Sequence, residues 1–423
     1  MKILMFSCNI SVVIPVYNRT DVFRTVSFLK EQVYFSHLQI IIVDNGNPKE
    51  LSVRLKSLES EHCHILSLPE NRGGSGAFIA GVDFAMKEYP ENQYMWLLDD
   101  DAEINENTLP ALVGEMIKIQ ASGIKIAGMG STILQKQNPD IVIEAGAKYL
   151  LYRRKMVPNL KGKRINQVEK KTIPIEYCAA ASLLITRESV EECGFWEDVF
   201  IHFDDIEWCY RLQAKGYRFY ATLKSVIFHV TYTPWKSGLW IRYYDLRNYF
   251  WFAAKQKSRM LILNLFFSKF KSLYYKLHGD RNVVQLYTLA RQDFRSGKVR
   301  LRHELPKTEF APINWDSVKN SKKRIIACVL YPEGIDFIQE KLGDIPFSRI
   351  LYYRKPQKFL FLSLLFAAVI QCFYQIRSFF SQDREILLFD AGFRMKIMLP
   401  YLHRNKFFAD FSHLYVQKRD IPD

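Results

Sequence analysis

The stretch from Tyr94 to Asp101 reads YMWLLDDD, an apolar run followed by three aspartates. Such a run is typical of a buried strand, and the aspartates stand where that strand would end and a loop would begin. Adjacent carboxylates repel one another, and a divalent cation that prefers oxygen ligands, Mg2+ or Mn2+, would neutralise them. A solvated acidic turn that caps a helix is the simpler alternative.

The residues before this stretch alternate strand and helix patterns. Strands are predicted at 10–16, 38–43 and 62–68, and helices at 21–32, 49–59 and from the glycine-rich loop to Tyr89. This alternation favours a doubly wound α/β sheet, in which ligands bind at the carboxyl ends of the strands. Four segments that follow strands are therefore predicted to line one edge: 15–19, 44–46, 71–76 and 99–101.

The rest of the chain is predicted to form further units. A helix is predicted at 108–121, strands at 124–129 and 141–145, a mobile basic loop at 153–171 and an amphipathic helical region at 235–277. The domain boundaries are predicted as 1–235 for a catalytic domain, 236–318 for a helical aromatic and basic extension, and 319–423 for a small α/β unit of unknown role. In that last unit, the apolar run Phe359 to Tyr374 is shorter than the roughly 20 residues of a spanning helix. It is predicted to be either a buried crossover helix or a helix on a membrane surface.

Charge and cysteine content narrow the classes of partner and compartment. The chain of 423 residues carries 59 basic and 44 acidic side chains, a net charge of +15. This balance favours an anionic partner, and we place a membrane surface and phosphate above nucleic acid because the basic residues form no single arginine-rich arm. The seven cysteines are odd in number and form no CxxC pair, which indicates a reducing compartment rather than disulfides or structural zinc.

A glycine-rich segment, NRGGSG at residues 71–76, precedes a predicted helix. A flexible turn at a helix start lets backbone amides approach an anion. The segment has neither the lysine and spacing of a Walker loop nor the GxGxxG pattern, so nucleotide hydrolysis and dinucleotide binding are disfavoured. A tight turn with a purely structural role is the alternative.

A second acidic cluster lies at Asp204 and Asp205, within FIHFDDIEW. Bulky apolar neighbours can raise the proton affinity of a carboxylate enough to make it a general base. Capping of the helix predicted at 206–215 is the alternative for one of the pair. His229 follows a predicted apolar strand, at a strand end as the three aspartates are, and this position favours a metal ligand over a packed histidine.

The order of these motifs resembles family 2 glycosyltransferases with a GT-A fold and, within them, bacterial galactofuranosyltransferases. The matching stretches are SVVIPVYNR, IIIVDNG, NRGGSGAFIAGV, MWLLDDDAEI, FIHFDDIEWCYRLQAKGY and FHVTYTPW with YYDLRNYF, between Ser11 and Phe250. The resemblance implies an α/β nucleotide-diphospho-sugar transferase fold with a doubly wound mixed sheet. The C-terminal α/β unit, predicted from its strand and helix patterns, has no counterpart in this resemblance.

The resemblance also implies a role for each candidate residue. Asp99, Asp101 and His229 would bind Mn2+ or Mg2+, and Asp205, beside Asp204, would act as the general base in an inverting transfer. Asp44 would accept hydrogen bonds from the uridine, whose pocket would be lined by Pro15, Tyr17 and Arg72. The nucleotide-sugar would also contact Gly73, Gly74 and Asp100.

The implied activity is transfer of galactofuranose from UDP-galactofuranose to a lipid-linked oligosaccharide in bacterial capsule, O-antigen or cell-wall synthesis, by an enzyme at the inner face of the plasma membrane. Residues 178–182 read CAAAS where galactan-extending relatives carry paired tryptophans, which leaves the acceptor open. Two alternatives remain open: a rhamnosyltransferase that uses dTDP-rhamnose, and a non-catalytic scaffold that binds nucleotide-sugar or glycan.

Overall fold

The computed structural model describes residues 8–32, 34–229, 239–277, 281–306, 313–329, 332–346, 348–352, 384–390 and 406–409. The chain divides into two compact units. The first comprises Met1–Thr231, Tyr243–Leu265 and Ala290–Glu304, and the second comprises Tyr232–Arg242, Phe266–Leu289 and Leu305–Asp423. The three-domain division with boundaries at 235 and 318 stays a prediction.

The first unit is built on a mixed sheet of nine strands. Along the chain these strands are β1 (Ile10–Val16), β2 (Leu38–Asn45), β3 (Cys63–Leu68), β4 (Tyr94–Leu98), β5 (Ile126–Gln135), β6 (Asn138–Glu144), β9 (Thr172–Ile175), β10 (Ser182–Thr186) and β11 (Arg218–His229). The two strands that lie between β6 and β9 in the sequence, β7 (Ala147–Leu150) and β8 (Lys155–Pro158), form a separate antiparallel pair.

The order of strands across the sheet is β3-β2-β1-β4-β10-β5-β11-β9, with β6 paired to β5. The first four are mutually parallel, whereas β10 runs antiparallel to both β4 and β5. Since β11 is parallel to β5, the reversal at β10 leaves β11 pointing the same way as β4. The carboxyl ends of β1, β2, β4 and β11 therefore lie at one edge.

Helices connect these strands and bury both faces of the sheet. They are α1 (Asp21–Lys30), α2 (Lys49–Lys56), α3 (Gly73–Glu88), α4 (Thr108–Ala121), α5 (Arg187–Cys193) and α6 (Asp204–Ala214). On β1, Val12 and Ile14 belong to the main apolar core, while Val13 faces Gly81 of α3, where an added Cβ would lie 2.3 Å from a Val13 methyl. Burial on both faces explains why the parallel strands are continuous apolar runs rather than alternating ones.

The prediction of a mobile loop at 153–171 is wrong in part. It contains β8, which pairs with β7 through a turn in which Arg154 adopts a left-handed conformation with φ 50°, and a short 3-10 helix at Ile165–Gln167. The basic composition of this segment suggested a loop. The hairpin forms because the backbone pairing does not depend on which charged side chains face solvent.

The helical region consists of α7 (Leu239–Lys255), α8 (Met260–Leu277) and α9 (Arg281–Arg295). Within the part of the chain that the structure describes, none of the helices combines the length and apolar character needed to cross a bilayer. The apolar run Phe359 to Tyr374, predicted as a helix, lies outside the described residues.

The C-terminal residues form a small α/β unit, as predicted. Two helices, α10 (Trp315–Lys319) and α11 (Pro332–Leu342), accompany β12 (Arg324–Val329), β13 (Arg349–Tyr352), β14 (Glu385–Asp390) and β15 (Lys406–Ala409). The strands are parallel in the order β13-β12-β14-β15. Ile325, Ile338 and Leu388 are among the residues of its apolar core.

Candidate active site

Three predicted metal ligands meet at the carboxyl edge of the sheet. Asp99 and Asp101 follow β4, and His229 is the last residue of β11. The His229 Nε2 atom lies 3.1 Å from Asp101 Oδ1 and 3.8 Å from Asp99 Oδ2. One ligand atom from each of the three residues lies within 4.8 Å of the other two. Two carboxylates and an imidazole at this separation can hold a divalent cation.

Backbone pairing outside the regular strands places His229 against the aspartates. The amide of Glu103 donates to the carbonyl of Phe228 at 2.9 Å, and the amide of Phe228 donates to the carbonyl of Glu103 at 2.8 Å. This isolated bridge ties the end of β11 to the loop after β4. In addition, the Asp99 amide donates to the carbonyl of Ala181, which precedes β10, at 3.2 Å.

Arg19 joins this acidic cluster from the loop after β1. Its Nη1 atom lies 2.5 Å from Asp101 Oδ2 and 3.1 Å from Asp100 Oδ1. Arg19 ends the predicted edge segment 15–19, although the sequence analysis gave it no individual role. The guanidinium pairs with Asp100 and with one oxygen of Asp101, so the other oxygen of Asp101 faces His229.

Burial perturbs the ionisation of the aspartates. It raises the pKa of Asp99 to about 6, an effect that the nearby His229 opposes. It also raises the pKa of Asp100 to about 7, against the opposing charge of Arg19. The charge of Asp204 adds to the rise at Asp99, so the two acidic clusters lie within electrostatic reach of each other.

Asp44, the predicted uridine contact, lies at the end of β2 and is buried. Its Oδ1 atom accepts hydrogen bonds from the amide of Asn47 at 3.2 Å and from its side-chain Nδ2 at 2.7 Å. The Ser67 hydroxyl donates to its Oδ2 at 3.5 Å. Hydrogen bonds from Asn47 and Ser67 thus hold the Asp44 carboxylate in place. Oδ2 is the less firmly bonded oxygen, because the hydrogen bond that it accepts from Ser67 is the longest of these.

The other predicted nucleotide contacts are spread along the same edge. Pro15 is partly buried in β1 and Tyr17 is exposed in the loop that follows. Arg72 precedes α3 and its Nη2 atom lies 2.9 Å from Asp198 Oδ2. Sequence reasoning did not pair these two residues, which are separated by 126 positions.

Amides of the glycine-rich segment donate hydrogen bonds to other groups of the protein. The Gly73 amide donates to Asn71 Oδ1 at 2.8 Å, and the Ser75 amide donates to the carbonyl of Phe200 at 3.1 Å. Gly73 has φ +67°, and an added Cβ there would lie 2.0 Å from the Phe200 carbonyl oxygen, whereas one on Gly74 would have no atom within 4 Å. The structural-turn alternative therefore accounts for Gly73, because only glycine permits this close approach.

The candidate base, Asp205, lies in the first turn of α6 beside the buried Asp204. Tyr177 donates from its hydroxyl to Asp205 Oδ2 at 3.0 Å, and the Ile206 amide donates to Oδ1 at 2.8 Å. Burial raises the pKa of Asp205 well above its ordinary range, and the neighbouring charge of Asp204 raises it further. Phe203 is the N-cap residue of α6 and this helix has no side-chain cap hydrogen bond, so the capping alternative does not account for Asp205. The raised proton affinity is of the kind that a general base has.

A strained loop precedes this helix. Phe200, His202 and Phe203 have φ values of 73°, 61° and 72°, a left-handed conformation that non-glycine residues rarely adopt. Such strain persists only where the surroundings enforce it, and it clusters at functional sites.

Two buried residues of α7, Arg247 and Asn248, bind the carbonyls of that loop. Arg247 Nη2 donates to the carbonyl of Val199 at 2.7 Å, and Asn248 Nδ2 donates to those of Ile201 at 2.7 Å and His202 at 3.0 Å. Both lie in the YYDLRNYF stretch, to which sequence reasoning gave no role. The signal was two adjacent polar residues inside a helical segment rich in aromatic residues.

Glu144, at the end of β6, is a second group that sequence reasoning missed. It is buried, its Oε1 atom has no hydrogen-bond partner among the described residues, and burial raises its pKa to about 7. Its charge acts on both Tyr177 and Cys178. Glu144 therefore acts electrostatically on the segment that contains Tyr177, the hydrogen-bond donor to Asp205.

Residues 11–193 match the family model described as Glycosyl transferase family 2. This segment is similar to the domain of that family, and its mixed sheet, with β10 antiparallel between β4 and β5, is GT-A-like. No curated protein matches the sequence.

Several solved structures are similar to this chain. GalNAc-T7, solved with UDP, GalNAc and Mn2+, is 16% identical with a TM-score of 0.44 and aligns over 53% of this chain and 44% of its own. The mannosyltransferase PcManGT from Pyrobaculum calidifontis, solved with GDP-Man and Mn2+, is 13% identical with a TM-score of 0.41, over 68% and 75%. TarS from S. aureus is 10% identical with a TM-score of 0.40, over 69% and 50%. The chain thus spans less than half the length of GalNAc-T7.

Proposed function

We propose that this enzyme transfers galactofuranose from UDP-galactofuranose to a lipid-linked oligosaccharide during assembly of bacterial capsule, O-antigen or cell-wall polysaccharide. The observation that carries the metal-dependent chemistry is the convergence of Asp99, Asp101 and His229, whose ligand atoms lie within 4.8 Å. The choice of galactofuranose rests on the likeness of the motifs, above all the triple aspartate, to galactofuranosyltransferases.

The donor set fits a hard divalent cation. Asp99, Asp101 and His229 would hold Mn2+ or Mg2+, which would stabilise the negative charge on the departing diphosphate. Asp101 is oriented for this role by Arg19, which pairs with its other oxygen.

Asp205 is the proposed general base. An acceptor hydroxyl attacks the anomeric carbon of the sugar, the bond from that carbon to the UDP oxygen breaks, and the hydroxyl proton passes to Asp205. A single displacement of this kind inverts the anomeric configuration. Tyr177 orients the carboxylate through its hydrogen bond, and Asp204 raises its proton affinity.

The nucleotide-sugar is proposed to lie along the carboxyl edge of the sheet. Asp44 would accept a hydrogen bond from the uracil through Oδ2, its less firmly bonded oxygen. The uridine pocket would be lined by Tyr17, which is exposed in the loop after β1, and by Arg72.

The remaining donor contacts are proposed for Pro15, Gly73, Gly74 and Asp100. Their support is position: Pro15 is in β1 near its end, Asp100 follows β4, and Gly73 and Gly74 begin α3. Asp100 would act through Arg19, with which it pairs.

The donor is tested by incubating the purified protein with Mn2+ and either UDP-galactofuranose or dTDP-rhamnose and measuring release of the nucleoside diphosphate. The proposal predicts UDP release that chelation abolishes. Turnover of dTDP-rhamnose alone would replace galactofuranose with rhamnose. No turnover of either donor, with binding retained, would favour a non-catalytic scaffold.

The acceptor and location are the least constrained part of the proposal. A net charge of +15 favours the anionic inner face of a plasma membrane, where a lipid-linked acceptor would be presented. Transfer of labelled sugar to a lipid extract, compared with delipidated extract, tests this part.

A further inference from the structure

Helix α8 (Met260–Leu277) buries several small polar side chains and exposes several large apolar ones. The residues Asn264, Ser268 and Ser272 are buried, with 8%, 2% and 9% of their surface exposed. Asn264 Nδ2 donates to the Tyr249 hydroxyl at 2.7 Å, and the Ser272 hydroxyl donates to the carbonyl of Ser268 at 3.1 Å. Helices of globular proteins usually bury the apolar stripe instead.

The opposite face of α8 exposes large apolar side chains. They are Ile262 (77% exposed), Leu263 (41%), Phe266 (55%), Phe267 (53%), Phe270 (58%) and Leu273 (52%). The spacings of three and four residues place all six on one side of the helix. A contiguous apolar surface of this kind indicates an interaction site rather than scattered surface residues.

The charges beside this apolar face have one sign. Lys269 and Lys276 border one side of it and Lys271 the other, since successive residues are rotated by about 100° around a helix. All three lysines are exposed. The sequence has no acidic residue between Asp245 and Asp280. This charge complements an anionic surface, and it would repel a second, identical basic face.

We propose that α8 lies in the plane of an anionic membrane surface, with its phenylalanines at the boundary of the acyl chains and its lysines among the headgroups. An exposed aromatic and aliphatic face bordered by lysines is what an interfacial helix requires. This inference deepens the proposed function. It rests on that function only for the reason to bind a membrane, which is that a lipid-linked acceptor would be held at the same surface.

The test is sedimentation of the full chain with vesicles of phosphatidylcholine, with and without phosphatidylglycerol. Wild type is expected to sediment with the anionic vesicles and to be released by salt. The double variant Phe266→Ser, Phe270→Ser is expected to bind about tenfold more weakly or worse, because two large apolar groups leave the interface. Val53→Ser removes an apolar side chain that is 61% exposed on α2 and should bind as wild type does.

A charge variant separates electrostatic from apolar attraction. Lys269→Gln, Lys276→Gln should weaken binding to anionic vesicles by about tenfold and leave the weak binding to neutral vesicles unchanged. Circular dichroism and a thermal unfolding scan establish that each variant is folded.

Three outcomes would overturn the proposal. The first is a wild type that stays in the supernatant, and the second is a phenylalanine variant that sediments as well as wild type. The third is a wild-type dimer by light scattering that the phenylalanine variant converts to a monomer, which would make a second copy the occupant. UDP release without vesicles should be equal in all variants, so failure of the proposed donor and failure of membrane docking are distinguishable.

Discussion

The Tyr177 hydroxyl donates a hydrogen bond to Asp205 Oδ2 at 3.0 Å, and it reaches this carboxylate from the segment before β10, 28 residues earlier in the chain. The bond stabilises the ionised form of Asp205 and so lowers its pKa, against the larger effect of burial. The two residues together determine the pH at which the proposed base becomes competent.

Tyr177→Phe should shift the acid limb of the pH–rate profile to higher pH by about one unit, because loss of one hydrogen bond to the carboxylate raises the pKa of Asp205 further. The profile of kcat/KM against pH measures this. Tyr210→Phe is the matched control, since the Tyr210 hydroxyl donates to the carbonyl of Tyr149 at 3.0 Å rather than to Asp205. Identical profiles for wild type and Tyr177→Phe would remove Asp205 from the role of base.

Asp205→Asn should reduce sugar transfer by roughly 10²–10⁴-fold, the usual contribution of a general base. Binding of UDP, measured by calorimetry, should be unchanged, because Asp205 contacts the acceptor rather than the donor in the proposed mechanism. Retention of wild-type transfer would contradict that mechanism and favour the scaffold.

Gly73→Ala should lower the free energy of unfolding by about 2 kcal/mol or more, since the new methyl group combines a left-handed backbone with a steric clash. The clash is with the Phe200 carbonyl oxygen, 2.0 Å from the added Cβ. Gly74→Ala is the neighbouring control and should be neutral or slightly stabilising, because its Cβ would meet no atom within 4 Å. Urea unfolding of the two variants measures the difference. Equal stabilities would show that the approach of α3 to the Phe200 loop is not as close as described.

Much of this fold could be predicted from local patterns. The apolar run before Asp99 marks β4, and the strand–helix alternation before it marks a sheet with ligands at one edge. His229 was singled out because it ends an apolar strand, a position that the β5–β11 pairing then places beside Asp101.

The contacts that complete the site are long-range and leave no local pattern. Arg19 meets Asp100 across 81 residues, and Arg247 binds the carbonyl of Val199 across 48. In the sequence, Glu144 is indistinguishable from an ordinary exposed carboxylate at a strand end, and only the structure shows that it is buried. The left-handed residues of the loop before α6 are phenylalanines and a histidine, whereas the usual sequence signal for that conformation is glycine.

Glu144→Gln should raise stability at alkaline pH. Burial raises the pKa of Glu144 from 4.5 to about 7, so the unfolded state ionises first as the pH rises. The folded state loses relative stability between these two values, by up to about 3 kcal/mol once both are passed. The variant should therefore be more stable than wild type at about pH 8 and should match it near pH 4.

Glu115→Gln provides a contrast of opposite sign. Burial raises the pKa of Glu115. Hydrogen bonds from Lys118, Lys224 and Thr172 outweigh this effect and lower the pKa to about 2. Its ionised form therefore stabilises the fold at neutral pH, and removing it should destabilise the protein there. Urea titrations of both variants at acid and alkaline pH measure the two slopes, and a Glu144→Gln variant less stable than wild type at alkaline pH would contradict the assignment.

The central claim is that Asp99, Asp101 and His229 form one divalent-cation site. An electron paramagnetic resonance titration of Mn2+ into the full chain, with UDP present, tests it most directly, because bound ions lose the signal of the free ion. We predict saturable binding by wild type, weaker binding by at least about tenfold in His229→Ala, and a similar or larger loss in Asp101→Asn. Mn2+ binding of equal strength in wild type and both variants would contradict the claim.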